Sequence, residues 1–333
     1  MSEEQPKLKK DHWFQEMMLA AGGAWFWLFL VPVALMAGIF WRTLIVAETK
    51  ANRSGVVVYT SQDQVYAEPI LREFEQRTGI KVRALYDSEA VKTVGLANRL
   101  LAEKDHPQCD IFWSNEELRT RQLAAQGVFE KWAAVGFRSR RIAVNTNRLS
   151  LAAAPKSLSD LTNESWRGRV ALAYPLFGTT ATHFLVLRQQ WGEQRWLAWC
   201  RALAANKPFL VDGNSVAAQL VARGEAWIGL TDSDDIAAEQ REGAPIVPLP
   251  LDKESLIIPN TIALVRGAPR VSAAGKLFDY LQRPDVVEKL VSARALEGAS
   301  HPDGDPPTLK PDWGKLLADL DSGSVSLKGA FLR

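Results

Sequence analysis

Short apolar runs alternate with amphipathic segments over most of the chain after residue 55. The run Val56–Tyr59 is apolar and rich in β-branched residues, and the segment after it keeps its apolar positions on one helical face up to Gly79. The same succession returns at Ile80–Leu85, whose side chains alternate, and at Cys109–Trp113, which another helical segment follows. Strands that alternate with helices of this length predict a parallel, doubly wound α/β sheet.

The second half of the chain repeats this order of strands and helices. Strands are predicted at Val170–Tyr174, Phe209–Val211 and Ala226–Leu230, and a helix follows each of them. Between the two halves, Arg141–Asn147 has the pattern of an extended crossing. We therefore predict two doubly wound α/β lobes that are joined by extended hinge crossings.

The crossings set the predicted domain boundaries. A stretch rich in proline, serine and leucine, from Leu149 to Leu161, follows the first crossing and opens the second half. We expect the first lobe to comprise residues 55–145 with a return segment at about 260–333, and the second lobe to comprise residues 146–259.

One long apolar segment departs from the alternating pattern. Residues 17–41 contain no charge over 25 positions, enough to cross a hydrocarbon core of about 30 Å as a helix. Three lysines precede it and only Arg42 follows closely, so residues 1–16 should stay cytoplasmic. A signal peptide cleaved after Ala47 is the alternative, but such peptides usually have a shorter apolar core. We expect an uncleaved anchor in the inner membrane, with the binding domain on its periplasmic or extracellular side.

Composition excludes several classes of protein. The 333 residues include 40 Lys and Arg against 38 Asp and Glu, and a net charge of +2 gives no general attraction to nucleic acid. Two cysteines, Cys109 and Cys200, cannot form a disulfide framework, and we expect two separate buried thiols, although a bridge stays open. No nucleophile elbow, Walker loop or dinucleotide fingerprint is present, so the sequence does not predict an enzyme.

Polar and small residues follow nearly every predicted strand. In open α/β sheets, ligands bind beyond the carboxyl ends of the strands, where helix N-termini offer free N–H groups. Each such residue could instead be an ordinary helix cap, because Ser, Thr, Asp and Asn are the preferred caps. The convergence of several such ends predicts a ligand cleft. The candidate ligand-binding residues are Tyr59, Thr60, Ser61, Asp63, Asn115, Glu116, Tyr174, Gly178, Thr179, Thr180, Asn214, Ser215, Asp232 and Asp235.

Short motifs follow one another between Val56 and Ser292: Val58–Ser61, Thr78–Val82, Cys109–Trp113, Val144–Asn147, Trp166–Ala171, Asn214–Ser215, Ala222–Glu225 and Pro259–Val265. In this order they resemble the extracellular (periplasmic) solute-binding proteins of ABC importers. The resemblance is to the ferric-ion and related small-solute type, the type II periplasmic binding proteins. It implies two lobes that close by a hinge over a small ligand, and an ABC permease in the inner membrane, with its cytoplasmic ATPase, as partner. It implies no enzymatic reaction and no nucleic-acid partner.

The ligand is harder to infer, because the chain departs from the ferric pattern. Ferric binders of this type place two adjacent tyrosines after the strand that here ends at Leu230, and this chain has Thr231–Asp235 instead. The acidic loops offer hard oxygen donors to a metal ion such as iron, or to a cationic or zwitterionic solute. The candidate metal ligands are Asp63, Glu116, Asp232, Asp234 and Asp235.

Two alternatives to a cation receptor stay open. The residues Ser61, Thr179, Thr180, Asn214 and Ser215 could bind a phosphate, phosphonate or carboxylate at helix N-termini. The protein could also be a periplasmic sensor that presents its ligand-bound state to a membrane signalling partner. No cofactor is required in any of these cases, and a bound metal ion would be the transported ligand.

Overall fold

The computed structural model describes Met36 and residues 55–87, 94–250, 252–300 and 308–332. Residues from Gly55 onwards form one compact unit. The anchor predicted at 17–41 lies outside the described residues, Met36 apart. Within the described part of the chain, no helix combines the length and the apolar character needed to cross a membrane.

Nine strands form one mixed sheet in the described residues. They are β1 (Val56–Thr60), β2 (Val82–Tyr86), β3 (Ile111–Ser114), β4 (Phe129–Asn145), β5 (Val170–Ala173), β6 (Phe209–Val211), β7 (Ile228–Asp232), β8 (Ile246–Pro248) and β9 (Ile257–Val265). Their order across the sheet is β2-β1-β3-β9-β4-β7-β5-β6, and β8 pairs with β4.

Eleven helices accompany these strands in the described residues, besides short 3₁₀ turns between β4 and β5. They are α1 (Gln64–Thr78), α2 (Val94–Ala102), α3 (Leu118–Ala125), α4 (Gly178–Trp191), α5 (Glu193–Ala205), α6 (Asn214–Ala222), α7 (Ser233–Arg241), α8 (Val271–Leu281), α9 (Pro284–Ser292), α10 (Trp313–Ala318) and α11 (Leu320–Phe331).

Strand β4 connects the two halves of the sheet. Its first part, up to Ser139, pairs with β9, and its last part, from Arg140 to Asn145, pairs with β7 and β8. We call β2, β1, β3, β9 and the first part of β4 the first lobe, with the helices that pack on them. The second lobe is the last part of β4 with β7, β5, β6, β8 and their helices.

The direction of β4 and β9 corrects the sequence prediction of a parallel sheet. The predicted strands β1, β2 and β3 are parallel, as are β5, β6 and β7. Strands β4 and β9 are antiparallel to their neighbours in both lobes. A chain that leaves one lobe and later returns must run through the sheet in both directions, so the fold is mixed α/β.

Each lobe has its own apolar core. In the first lobe, Phe74, Ile111 and Leu277 pack together on one side of the sheet, and Leu100, Phe112 and Ala263 on the other. In the second lobe, the larger core contains Phe184, Trp196 and Leu230, while Ala171, Val221 and Ile236 fill the opposite side. Because both faces of each half-sheet are covered, the carboxyl ends of the strands are where polar groups collect.

The last helix, α11, packs on a different lobe from the rest of the return segment. The return segment 260–333 was assigned to the first lobe, and α8 and α9 do pack there through Leu277 and Leu290. Helix α11 packs instead against α5 and α4 of the second lobe, where the Phe331 ring lies 5.9 Å from the Phe184 ring. The reason is its apolar stripe, which is buried in the larger core of that lobe.

Candidate functional site

The first lobe contributes the loops after β1 and β3. These parallel neighbours end side by side, and the Ser61 hydroxyl donates to the Asn115 side-chain oxygen at 3.0 Å. Asp63 precedes α1 and is half-buried, whereas Ser61 and Asn115 are buried. The predicted meeting of polar strand ends is therefore present in this lobe.

The second lobe contributes the N-termini of α4 and α6 and the end of β7. Four of the predicted residues form one hydrogen-bonded group there. The Asn214 oxygen accepts from the Thr180 hydroxyl at 2.9 Å, and the Asn214 amide donates to Thr179 at 2.8 Å. The Thr179 hydroxyl in turn donates to Asp232 at 2.8 Å. These side chains are satisfied by each other, which leaves the backbone N–H groups of the two helix starts as the donors for a ligand.

Two arginines of β4, absent from the sequence prediction, reach the same place. Arg138 and Arg140 alternate along the strand and so share one face of it. Arg140 donates to Asp232 at 2.7 Å and to the Asn214 oxygen at 2.9 Å. Arg138 donates to Asp234 at 2.5 Å and to the Asn115 backbone oxygen at 3.0 Å, so it links the two lobes.

Asp232 is therefore an ion-paired carboxylate and not an open ligand. Burial alone would raise the pKa of Asp232, but the charges of Arg138 and Arg140 outweigh it and lower that pKa. Its hydrogen bond from Thr179 acts in the same direction. The carboxylate stays ionised, and both of its oxygens already have donors.

Three other carboxylates converge across the two lobes. Asp63, Asp234 and Asp235 each place an oxygen within 4.8 Å of the others. We call these three residues the aspartate cluster. One oxygen of Asp234 (Oδ1) is buried and has no hydrogen-bond partner among the described residues.

The aspartate cluster brings carboxyl groups of like charge close together in the protein interior. Burial and neighbouring carboxylates raise the pKa of Asp234 to about 6, against the lowering effect of Arg138. The same causes, burial first and then Asp234 and Asp232, raise the pKa of Asp235 well above its ordinary value. Carboxylates that resist ionisation for these reasons are stabilised by an added cation.

Glu116 lies apart from the aspartate cluster. Its two oxygens accept the Leu118 and Arg119 backbone N–H groups at 2.6 and 3.1 Å, at the start of α3. The Thr182 hydroxyl of the second lobe adds a contact at 3.3 Å. Glu116 thus acts as a helix cap that also touches the other lobe.

Tyr59 and Thr60 also point elsewhere, while Tyr174 borders the cleft. The Tyr59 hydroxyl bonds Glu103 at 3.0 Å, on the side of the sheet where α2 lies. The Thr60 hydroxyl accepts from the Gln62 backbone at 3.0 Å. Tyr174 lines a cavity of about 30 Å³ between the lobes. The other predicted residues that line this cavity are Asn115, Gly178, Thr179, Asn214, Ser215, Asp232 and Asp235.

Both cysteines are buried free thiols in the structure. Cys109 lies just before β3 and Cys200 within α5. Burial raises the pKa of each thiol, which keeps them protonated and unreactive. They take no part in the cleft.

Several known proteins are similar to this chain in sequence. The profile of the family described as "Bacterial extracellular solute-binding protein" matches residues 55–293. The major ferric iron-binding protein of Neisseria meningitidis serogroup A is 25% identical over 269 residues, which cover 72% of this chain and 79% of that protein.

Solved structures agree with this fold. Iron-bound HitA from Pseudomonas aeruginosa superposes with a TM-score of 0.71 at 18% identity, covering 82% of this chain and 99% of HitA. The periplasmic binding protein AfuA from Actinobacillus pleuropneumoniae, solved with fructose-6-phosphate, also gives a TM-score of 0.71, at 20% identity. That match covers 84% of this chain and 98% of AfuA.

Proposed function

Because the chain belongs to the bacterial extracellular solute-binding protein family, we propose that it captures a small solute outside the cytoplasm and delivers it to an ABC permease. Members of this family bind solutes without transforming them, so the protein is a binding protein and not an enzyme. The part of the ligand that the site recognises is, in this proposal, a positively charged group.

The aspartate cluster carries the proposal. Asp63 comes from the first lobe and Asp234 and Asp235 from the second, and their oxygens lie within 4.8 Å of one another. Among the described residues, the buried Oδ1 atom of Asp234 has no hydrogen-bond partner and is free to accept a hydrogen bond from a ligand. A buried acceptor without a donor costs free energy, and a cation or an N–H donor from the ligand would recover it.

Charge counting supports a cationic ligand. When ionised, Asp63, Asp232, Asp234 and Asp235 carry four negative charges against the two positive charges of Arg138 and Arg140. A metal ion or an ammonium group would compensate the excess. Hard cations prefer the carboxylate oxygens found here.

The two tyrosines of the ferric pattern have no counterpart at this site. Asp234 and Asp235 follow β7 where that pattern has tyrosines, and carboxylates bind a wider range of cations than phenolates do. Ferric ion is therefore one candidate among several, beside divalent metal ions and organic ammonium groups.

The family and the apolar N-terminal segment together support a location outside the cytoplasm, at the inner membrane. Relatives such as AfuA are described as periplasmic, which agrees with a receptor outside the cytoplasm. We propose that residues 17–41 tether the receptor to the inner membrane beside its permease, with residues 1–16 on the cytoplasmic side.

Thermal unfolding of the full chain tests the cation site. Protein stripped with a chelator is melted with ferric ion, with divalent metal ions and with small amines. A ligand present at a hundred times its dissociation constant should stabilise the fold by about 2.7 kcal/mol. We expect a selective rise in melting temperature with one class of cation.

Substitutions in the aspartate cluster test whether the cation that raises the melting temperature binds there. Asp63→Asn and Asp234→Asn should abolish the rise, whereas Asp279→Asn, an exposed aspartate of α8, should preserve it. If no cation raises the melting temperature, or if the two cluster variants respond as the wild type does, the proposed cation site is wrong.

A further inference from the structure

A second cavity lies beside the two segments that connect the lobes. Its volume is about 290 Å³. Residues 140–142 of β4 line it, and so does the chain between β8 and β9, with Leu249 and Glu254 among its lining residues. We call this space the hinge cavity. No described residue lines both the hinge cavity and the cavity that Asp232 and Asp235 border, so a ligand here would be separate from the one in the cleft.

Most of the wall of the hinge cavity is apolar. Aliphatic side chains and prolines make up eight of its fifteen lining residues, among them Ile142, Leu158 and Leu230. Leu158 and Leu230 are buried, whereas Leu151 and Pro250 are exposed, so the cavity extends from the core of the second lobe to the surface. A dry apolar cavity of about 150 Å³ is enough to hold a benzene ring. The hinge cavity therefore has room for an apolar molecule of that size.

The arginines at the hinge cavity have their charges compensated within the protein. Arg140 pairs with Asp232 at 2.7 Å, and Arg141 pairs with Glu297 at 3.0 Å. Lys156 also lines the cavity, but it is exposed, so water can solvate its ammonium group. These residues therefore do not require an anion in the cavity.

The carboxylates at the hinge cavity are occupied as well. Asp252 accepts the backbone N–H groups of Glu254 and Ser255 at 2.8 and 3.1 Å. The Glu254 carboxylate accepts the Leu158 backbone N–H at 2.5 Å. Because the charged groups of both signs are already compensated, the cavity favours a neutral ligand.

Two buried residues of the cavity wall each have a polar atom without a hydrogen-bond partner among the described residues. These atoms are Arg140 Nε, which is a donor, and His183 Nδ1. The Nε2 atom of His183 contacts the Glu254 backbone oxygen at 2.6 Å, and since a carbonyl oxygen only accepts, Nε2 carries the proton. Burial and the nearby Arg140 charge lower the pKa of His183 to about 3, so the ring is neutral and Nδ1 is an acceptor.

A spare donor and a spare acceptor at one end of an apolar cavity match a hydroxyl group. A hydroxyl donates one hydrogen bond and accepts others, so it can serve both His183 Nδ1 and Arg140 Nε. Buried polar atoms without partners cost free energy, which a ligand that pairs them recovers. A carboxylate would offer no donor to Nδ1 and would bring an uncompensated charge into the cavity.

We propose that the hinge cavity is a second ligand site, for a small neutral molecule that combines an apolar ring with one hydroxyl group. The ring packs against the apolar wall, and the hydroxyl group bonds His183 and Arg140 at the buried end. Phenol is the simplest aromatic molecule of this class. The site goes beyond the receptor function, because it lies outside the cleft that holds the solute.

Calorimetric titration of the full chain with phenol tests the site. Anisole is the matched comparison, because a methyl group replaces the hydroxyl hydrogen and removes only the donor. Benzoate has the same ring with a charged group. We expect phenol to bind at one site per chain, and anisole and benzoate to bind at least tenfold more weakly.

A larger side chain in the wall should block the site. Leu249 is half-buried and packs against the core of the second lobe, so Leu249→Trp reduces the space of the cavity without adding a charge. We expect Leu249→Trp to weaken phenol binding at least tenfold. Val325→Trp places the same ring at an exposed position of α11, away from the cavity, and should retain binding.

The His183 ring provides a second measurement that uses the unaltered protein. A hydrogen bond to Nδ1 moves the nitrogen NMR resonance of a neutral imidazole, and the spectrum of His183→Gln identifies which resonance belongs to His183. We expect this resonance to move when phenol is added and to stay in place with anisole.

The outcomes separate the second site from the cation site in the cleft. If phenol does not bind, or binds Leu249→Trp as tightly as the wild type, the hinge cavity is not a ligand site. If anisole binds as tightly as phenol, or the His183 resonance does not move, the hydroxyl contact is wrong. If phenol binds as expected while no cation binds the aspartate cluster, the second site stands and the cation site is wrong.

Discussion

Asp235 is expected to favour cation binding but to lower the stability of the ligand-free protein. It is buried beside Asp234 and Asp232, and its Oδ2 atom accepts from the Thr231 hydroxyl at 2.9 Å. An amide at this position keeps an oxygen acceptor but cannot ionise. We therefore expect Asp235→Asn to stabilise the ligand-free protein by on the order of 1 kcal/mol, because folding raises the pKa of Asp235 through burial and the charges of Asp234 and Asp232, and asparagine avoids this cost.

The same substitution should remove cation binding. Urea unfolding gives the free energy of the ligand-free variant, and calorimetry gives its affinity. Asp279→Asn on α8 serves as the control, because its side chain is exposed and remote from the cleft. A variant that is less stable than the wild type would contradict the argument from the raised pKa of Asp235.

His183 should make the stability of the protein depend on pH, and the direction of this dependence follows from its pKa. Burial, with the nearby Arg140 charge, lowers the pKa of His183 to about 3, although its hydrogen bond to the Glu254 backbone oxygen opposes this. The unfolded chain has a pKa near 6.5 there, so it binds the proton more tightly. Stability is therefore lost as the pH falls below about 6.5, by about 2 kcal/mol between pH 7 and pH 5.

His183→Gln isolates this contribution, because glutamine can still donate to the Glu254 oxygen. Urea unfolding at pH 7 and pH 5 should show a smaller loss in the variant than in the wild type. His106→Gln, at an exposed histidine, should leave the loss unchanged. Equal losses in all three proteins would show that His183 is not the group responsible.

Sequence reasoning found the carboxylates of the site but not the arginines that compensate them. Asp63 and Asp235 lie three residues beyond the ends of β1 and β7, in the polar stretches that follow these strands. Arg138 and Arg140 lie within a strand, and two basic residues in a strand are typical of a solvent-exposed edge. Their alternation was the available signal. That this face turns into the protein depends on which strands flank β4, and this is a long-range property.

At the scale of elements, β4 is the strand that local patterns describe least well. Only its end, Arg141–Asn145, was expected as an extended crossing, whereas the strand begins at Phe129. A register shift between Ala134 and Phe137 interrupts its pairing with β9. Gly136 lies in this irregularity with φ = +69°, a conformation that glycine adopts without strain.

Gly136→Ala should therefore be strongly destabilising. A Cβ atom there would lie 2.5 Å from Leu296 Cδ1 and 2.8 Å from the Gly298 oxygen. The left-handed backbone costs about 1 kcal/mol and the overpacking a further 1–3 kcal/mol. Urea unfolding should give a total loss of about 3 kcal/mol.

Gly168→Ala is the matched control for backbone strain. Gly168 has φ = +66°, yet an added Cβ would meet nothing within 4 Å. Its loss should be about 1 kcal/mol, the strain alone. If both variants lost the same amount, packing beneath the β4 irregularity would not be what holds it.

At the scale of the whole molecule, the order of weak motifs was more informative than any one of them. The motifs from Val58 to Val265 predicted the family, and the profile match over residues 55–293 confirms it. The parallel strands β1–β3 and β5–β7 followed from local alternation. The placement of α11 on the second lobe did not, because an amphipathic helix shows which of its faces is buried but not the surface that buries it.

Contacts between the lobes yield the last prediction. Arg241, at the end of α7 in the second lobe, donates to the Tyr66 hydroxyl and to the Ala293 backbone oxygen, each at 2.5 Å. Both acceptors belong to the first lobe, so these bonds favour the closed arrangement. A ligand held by both lobes binds the closed form better, and its apparent affinity scales with the population of that form.

Arg241→Ala should therefore open the molecule and weaken every ligand of the cleft. The loss of these two hydrogen bonds should destabilise the closed form by about 1–2 kcal/mol. The apparent dissociation constant should then increase roughly tenfold. Small-angle scattering of the ligand-free protein should show a larger radius of gyration, and Tyr66→Phe should lie between the wild type and Arg241→Ala. Arg223→Ala, which removes an exposed ion pair with Glu225 within the second lobe, should change neither quantity. A weakened affinity with an unchanged radius would mean that Arg241 acts on the ligand site itself and not on the balance between open and closed lobes.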